Sequence, residues 1–178
     1  MRIEIEGGRT RAFCQQAVNV FRQYPSLMKN PQGKLKNSFR SLQRYVTICT
    51  ALLVILGAMC IFWGPDALTI TAMVLMALLI VLSSAFLFRL NQLCRQMMED
   101  HRRTVLTLDE EGVELDKEGA QRVRLAWSAI AFVRVFSEAL CFIPGDSTGL
   151  VMAVSRDYQE EILAYLREHN PDLPVIQV

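Results

Sequence analysis

Five arginines, Arg40, Arg44, Arg89, Arg102 and Arg103, crowd the two ends of the most apolar part of the chain. Guanidinium groups at such borders are suited to one chemistry above others, the binding of phosphate oxygens on anionic lipid headgroups. Other residue types that do chemistry are present without the arrangement it requires. Ser128 has no neighbouring base and no G-x-S-x-G context, so it is not read as a nucleophile. Cys14, Cys49, Cys60, Cys94 and Cys141 form no C-x-x-C pair, and His101 and His169 adjoin no cysteine. A zinc site calls for about four clustered ligands, so no metal and no cofactor is expected. The glycines form no phosphate-binding loop. The expectation is a protein that is not an enzyme.

The elements that place those arginines dominate the sequence. Between Arg44 and Arg89 lie 44 residues with a single charge, Asp66. Tyr45 to Pro65 gives 21 uncharged residues and Ala67 to Phe88 gives 22, against the roughly 20 needed to cross a hydrocarbon core about 30 Å thick. The spacing predicts a hairpin of two transmembrane helices over 45–89. Gly64, Pro65 and Asp66 form its turn, with Asp66 capping the second helix and Trp63 at headgroup level. Neither span carries G-x-x-x-G, so tight pairing by that route is not expected.

Charge asymmetry sets the orientation. Residues 1–44 hold nine Lys or Arg against two Glu, the turn holds none, and Arg89, Arg95, Arg102 and Arg103 follow the second span. Both termini are therefore expected in the cytoplasm. The first apolar run lies behind a polar leader, so the first span is expected to act as its own uncleaved insertion signal. Residues 104–178 carry six basic and thirteen acidic residues. That acidity repels phosphate backbones, so nucleic acid is not an expected partner.

Residues 1–44 read as a basic cytoplasmic leader, with a short alternating strand at 2–6 ended by Gly7 and Gly8. A helix over 10–24 is interrupted by Pro25, and either lies on the membrane or packs on the cytoplasmic domain. The Ile3–Ile5 strand is expected to complete or cover a sheet edge of that domain. Residues 90–103 read as a helical stalk reaching about His101, with Met97 and Met98 on its apolar stripe. Residues 104–178 read as a small α+β domain of five or six short strands. They begin with Thr104–Leu108, a turn at 109–112 with Gly112 placed for positive φ, and a strand from Val113. The last strand is expected at Leu150–Val154, after a turn from Pro144 to Ser147, and Ser155 caps a terminal helix closed by Asn170 and Pro171. Trp127 reads as the core anchor of the domain rather than a binding platform.

The run Leu106-Thr107-Leu108-Asp109-Glu110-Glu111-Gly112, followed by Trp127-Ser128-Ala129-Ile130, resembles the YcxB-like bacterial membrane proteins. The layout of strand, leader helix, two-span hairpin and small β domain is similar to theirs over nearly the whole chain, the motifs over about 25 residues. The resemblance implies a pleckstrin-homology-like domain, a bent antiparallel sheet closed by a C-terminal helix, and it implies no catalytic residue. Two positions depart from the family pattern: Arg11 and Gln15 replace an acidic residue early in the leader helix, and Met152-Ala153-Val154 lacks a basic residue before the last helix.

The expected function is a membrane-anchored, non-enzymatic interaction or regulatory module at the inner face of the bacterial cytoplasmic membrane. Its expected partners are the lipid bilayer, anionic headgroups, and a protein partner or a second copy of the chain. The alternative is an accessory or oligomeric subunit of a transporter or export complex.

Overall fold

The computed structural model describes residues 1–5, 9–64, 66–119, 122–145 and 150–177. The expected Gly7–Gly8 stop, Pro65 and the Ser147 end of one turn lie outside them. The chain divides into two compact units, residues 1–35 with 94–178, and residues 36–93.

The strand-rich unit opens with β1 (Arg2–Ile5) and α1 (Arg11–Lys29). It continues, after the hairpin residues, with β2 (Thr104–Leu108), β3 (Gly112–Lys117) and β4 (Val123–Ala126). A short 3-10 turn at Trp127–Ala129 leads to β5 (Ile130–Val135), β6 (Ala139–Pro144) and β7 (Met152–Ser155). A second 3-10 turn precedes α4 (Gln159–His169), and β8 (Val175–Gln177) ends the unit.

These strands form two sheets, β1-β2-β3-β4 and β7-β6-β5-β8, where the sequence predicted one. The Trp127–Ala129 turn supplies the reason: it ends β4 and delivers the chain to the second sheet. One pairing is also parallel, β5 with β8. A three-residue strand is too short to show alternation, so β8 has no sequence signal.

Both sheets and α4 share one core, which includes Leu106, Val113, Val133, Leu140, Phe142 and Leu166. Trp127 packs against it, its ring centroid 6.5 Å from that of Phe142. The Trp127 indole N–H donates to the Asp109 carbonyl at 2.9 Å, so its polar edge is satisfied where it meets the β2–β3 turn.

The expected edge strand is present. β1 pairs antiparallel with β2, Ile3 opposite Leu106, and Ile3 enters the core. Helix α1 packs on the strand unit rather than standing free of it. Phe13, Cys14, Ala17, Val18, Val20 and Leu27 are buried, Tyr24 donates to the Pro144 carbonyl at 2.9 Å, and Gln16 bonds Ser137 and the Glu138 amide. Thr10 caps it through the Phe13 amide.

Two local expectations are corrected. Pro25 does not end α1, which runs on to Lys29. Proline removes one N–H donor from the helix ladder, and burial of Leu27 two residues later offsets that loss. Gly112 does not adopt positive φ; among described residues only Gly64 and Gly119 do. Its requirement is space, since a Cβ there would lie 2.2 Å from the Leu125 carbonyl oxygen. The turn is made instead by the Asp109 carboxylate, which accepts from the Glu111 and Gly112 amides at 2.9 Å each.

The second unit is built on α2 (Ser38–Trp63) and α3 (Ala67–Glu99), two helices long and apolar enough to cross a membrane. Asn37 caps α2 through the Arg40 amide and Asp66 caps α3 through the Thr69 amide, as expected of Asp66. Gly64 ends α2 at φ +81°, a left-handed conformation open to glycine at little cost.

Half-buried positions of α2 include Leu42, Val46, Cys49, Leu53, Leu56 and Cys60, and those of α3 include Thr69, Met73, Met76, Ile80, Ser83 and Leu87, with Gly57 and Ala72 flanking the stripe. Steps of four and three in turn make a heptad seam, the pattern that coils two helices left-handedly. Cys60 meets Met73 across it, sulfur to sulfur at 3.8 Å. Pairing proceeds through this seam, with no need for G-x-x-x-G. The sequence does not display the seam because most positions around it are apolar too.

Candidate membrane interface

The outer faces of α2 and α3 carry exposed side chains of the kind usually found in a protein core. Tyr45, Val54, Ile61, Phe62 and Trp63 on α2, and Leu68, Val74, Val81, Leu82 and Phe88 on α3, are all exposed, Ile61 at 83%. A contiguous patch of this size marks a surface made for an apolar solvent. From Tyr45 to Trp63 the rise is about 28 Å and from Leu68 to Phe88 about 31 Å, against a hydrocarbon core of about 30 Å. Thr47, Thr50 and Thr71 lie within this girdle, and each donates its hydroxyl to the carbonyl four residues earlier. They therefore present no unmet donor.

The girdle is bounded by charge at one end. Arg44 lies sixteen residues before Cys60 and Arg89 sixteen after Met73. At equal rise per residue, both stand about 24 Å from that contact, and so at one level of the hairpin. Arg40 is one turn beyond Arg44. All three are exposed and make no ion pair among the described residues. At the other end the one charge among the described residues is Asp66.

Arg102 and Arg103 are placed differently. Both belong to the strand unit, and both are paired there. Arg102 grips Asp100 through Nε at 2.8 Å and Nη2 at 3.0 Å, and Arg103 bonds Glu4 of β1. Asp100 also receives the Lys117 ammonium from the end of β3. The Arg102 and Lys117 donors hold the Asp100 carboxyl well below the usual carboxylate range. The Arg103 guanidinium does the same, less strongly, for Glu4. Of the five arginines expected at the membrane, three offer open charge and two are engaged within their own unit.

No family model matches the chain, and neither a curated protein nor a solved structure is significantly similar to it.

One residue that nothing local in the sequence marks stands out in the strand unit. Arg134 of β5 is 1% exposed. Its Nη1 donates to the Pro31 carbonyl at 2.6 Å and its Nη2 to the Gly33 carbonyl at 2.7 Å, both in the segment following α1. Its plane covers the Phe136 ring, the guanidinium carbon 4.7 Å from the centroid. Cys141 faces it across the β5–β6 ladder. Burial pushes the Cys141 thiol up to about 12, and burial lowers the guanidinium from its ordinary value. The signal that would have found Arg134 is the apolar run on both sides of it. β6 is buried along its whole length and β5 nearly so, the mark of a sheet covered on both faces.

The polar cleft beside α1, about 340 Å³ and lined by Thr10, Ser137, Glu138, Ser155, Arg156 and Asp157, is bonded within itself. Ser155 donates to Asp157, and Arg156 donates to the Ser137 carbonyl and to Gln159.

Proposed function

We propose that the chain is an integral protein of the bacterial cytoplasmic membrane, anchored by α2 and α3 as a spanning hairpin with both termini in the cytoplasm. In this reading the strand unit is a non-enzymatic interaction or regulatory module presented at the inner face. The observation that carries it is the apolar girdle, whose length matches a bilayer core and whose open positive charge, Arg40, Arg44 and Arg89, gathers at one end only. The basic leader adds to that bias.

The partners proposed are the lipid bilayer, anionic headgroups at Arg40, Arg44 and Arg89, and a protein or second copy of the chain at the strand unit. The charges of the unit largely pair with one another, which leaves its recognition of a partner to shape and apolar contact. Arg124 bonds Asp109 and Glu111, Arg122 bonds Glu114 and Asp116, and Asp100 bonds Lys117. Two sheets with a packed C-terminal helix are compatible with a pleckstrin-homology-like unit, and the order of elements supports kinship with the YcxB-like proteins.

Protease protection tests the arrangement. Trypsin added to intact spheroplasts should leave the strand unit whole, and added to inverted membrane vesicles it should cut there. Digestion of the strand unit from outside intact spheroplasts would reverse the proposed sidedness.

A further inference from the structure

Buried guanidinium groups ordinarily meet a carboxylate, since an unpaired buried charge is costly. Among the described residues Arg134 meets none, and its Nε has no acceptor there either. Its two bonded nitrogens both reach the same short segment, residues 31–33, which lies between the end of α1 and the Asn37 cap of α2. The acceptors are two main-chain carbonyls separated by one residue, set at the spacing of the guanidinium fork. A turn closes the same segment, with the Gly33 amide donating to the Asn30 carbonyl at 2.9 Å. A lysine ammonium is a single point and cannot hold both carbonyls along a plane, whereas arginine can. Stacking on Phe136 supplies a further hold on the cation without a counter-charge.

We infer that Arg134 is the clasp of a strap: it binds the segment leading into the first apolar helix onto the face of the second sheet, and losing the clasp turns that segment into a free tether. The two states of such a segment differ in what they allow: a clasped strap keeps residues 31–33 fixed against β5, and a free tether of the same length lets them move away. The missing counter-ion fits this role. A carboxylate partner inside the unit would satisfy Arg134 without the segment, and the carbonyls would then be dispensable. The inference stands on contacts within the strand unit and does not depend on which side of a membrane that unit faces.

The test uses the full-length chain in detergent micelles or vesicles, with trypsin cleavage after Lys34 and Lys36 as the readout. In the wild type these sites should be cut slowly. Arg134→Gln and Arg134→Lys should each speed cleavage there at least tenfold, the lysine variant less than the glutamine one, while Trp127 fluorescence keeps its native spectrum. Cleavage at the wild-type rate in a variant that retains that spectrum would overturn the inference. If both variants lose the folded strand unit, hydrogen exchange in the wild type decides. Arg134 guanidinium protons that exchange at least tenfold slower than those of free arginine and show NOEs to residues 31–33 support the strap, and exchange at the free rate refutes it.

Discussion

Asp100, the residue after the end of α3, binds Lys117 at the end of β3, and so ties the last turn of a long helix to a strand. Both side chains are largely buried, at 15% and 19% exposure, so the pair is little screened by solvent. Replacing Asp100 with Asn should lower the stability of the strand unit by about 1.5–3 kcal/mol, the range for a hydrogen bond to a charged group. The pH dependence has a definite sign. The folded-state pKa of Asp100 lies below its unfolded value, so its contribution is complete above about pH 4 and is lost as pH falls further. Thermal melts of wild type and Asp100→Asn should therefore differ at pH 6 and converge in acid.

Gly112 tolerates no side chain. A Cβ would sit 2.2 Å from the Leu125 carbonyl oxygen and 2.9 Å from the Ala126 Cα, both main-chain atoms that cannot swing aside. Gly112→Ala should cost about 3 kcal/mol or more by forcing β3 away from β4. Urea titration followed by Trp127 fluorescence measures it, and a midpoint equal to wild type would contradict the close approach.

How far the sequence discloses this molecule depends on whether one residue's environment is set locally. The hairpin is legible because 44 residues carrying the one charge Asp66 need no partner to interpret them. The strands from Thr104 to Leu125 are legible because each alternates. Arg134 is not, because in Phe132-Val133-Arg134-Val135 an arginine at an alternate position reads as the solvent side of a strand. Only the packing of α1 and the 31–33 segment makes that side an interior. The place of α1 is not legible for the same reason: its apolar face suits lipid or a sheet equally, and the Tyr24 bond to Pro144 and the buried Phe13 show which surface it meets. Among the arginines, sequence position grouped five, but the short reach from Arg102 to Asp100 and the long-range meeting of Arg103 with Glu4 separate two of them.

Ile3 shows that the leader belongs to the strand unit. It is 6% exposed, pairs opposite Leu106 and lies over a hundred residues from it in sequence. Ile3→Ala should lower stability by about 2–3 kcal/mol. An unchanged melting temperature would mean that β1 does not hold the edge of β2 in solution.

Arg40, Arg44 and Arg89 should govern the lipid that accompanies the protein. Replacing all three with Gln should reduce anionic lipid co-purified in mild detergent at least threefold, and the wild-type excess should fall as salt is raised. Equal anionic lipid in both proteins, at low and high salt alike, would remove these residues from the interface.

Partition of the full-length chain under alkaline extraction tests the central claim most directly. Membranes from cells expressing the protein are washed at about pH 11, which strips proteins held only by charge, and then pelleted. An apolar girdle about 30 Å tall should keep the chain in the pellet until detergent is added. Recovery of the chain in the alkaline supernatant would contradict a hairpin that crosses the bilayer.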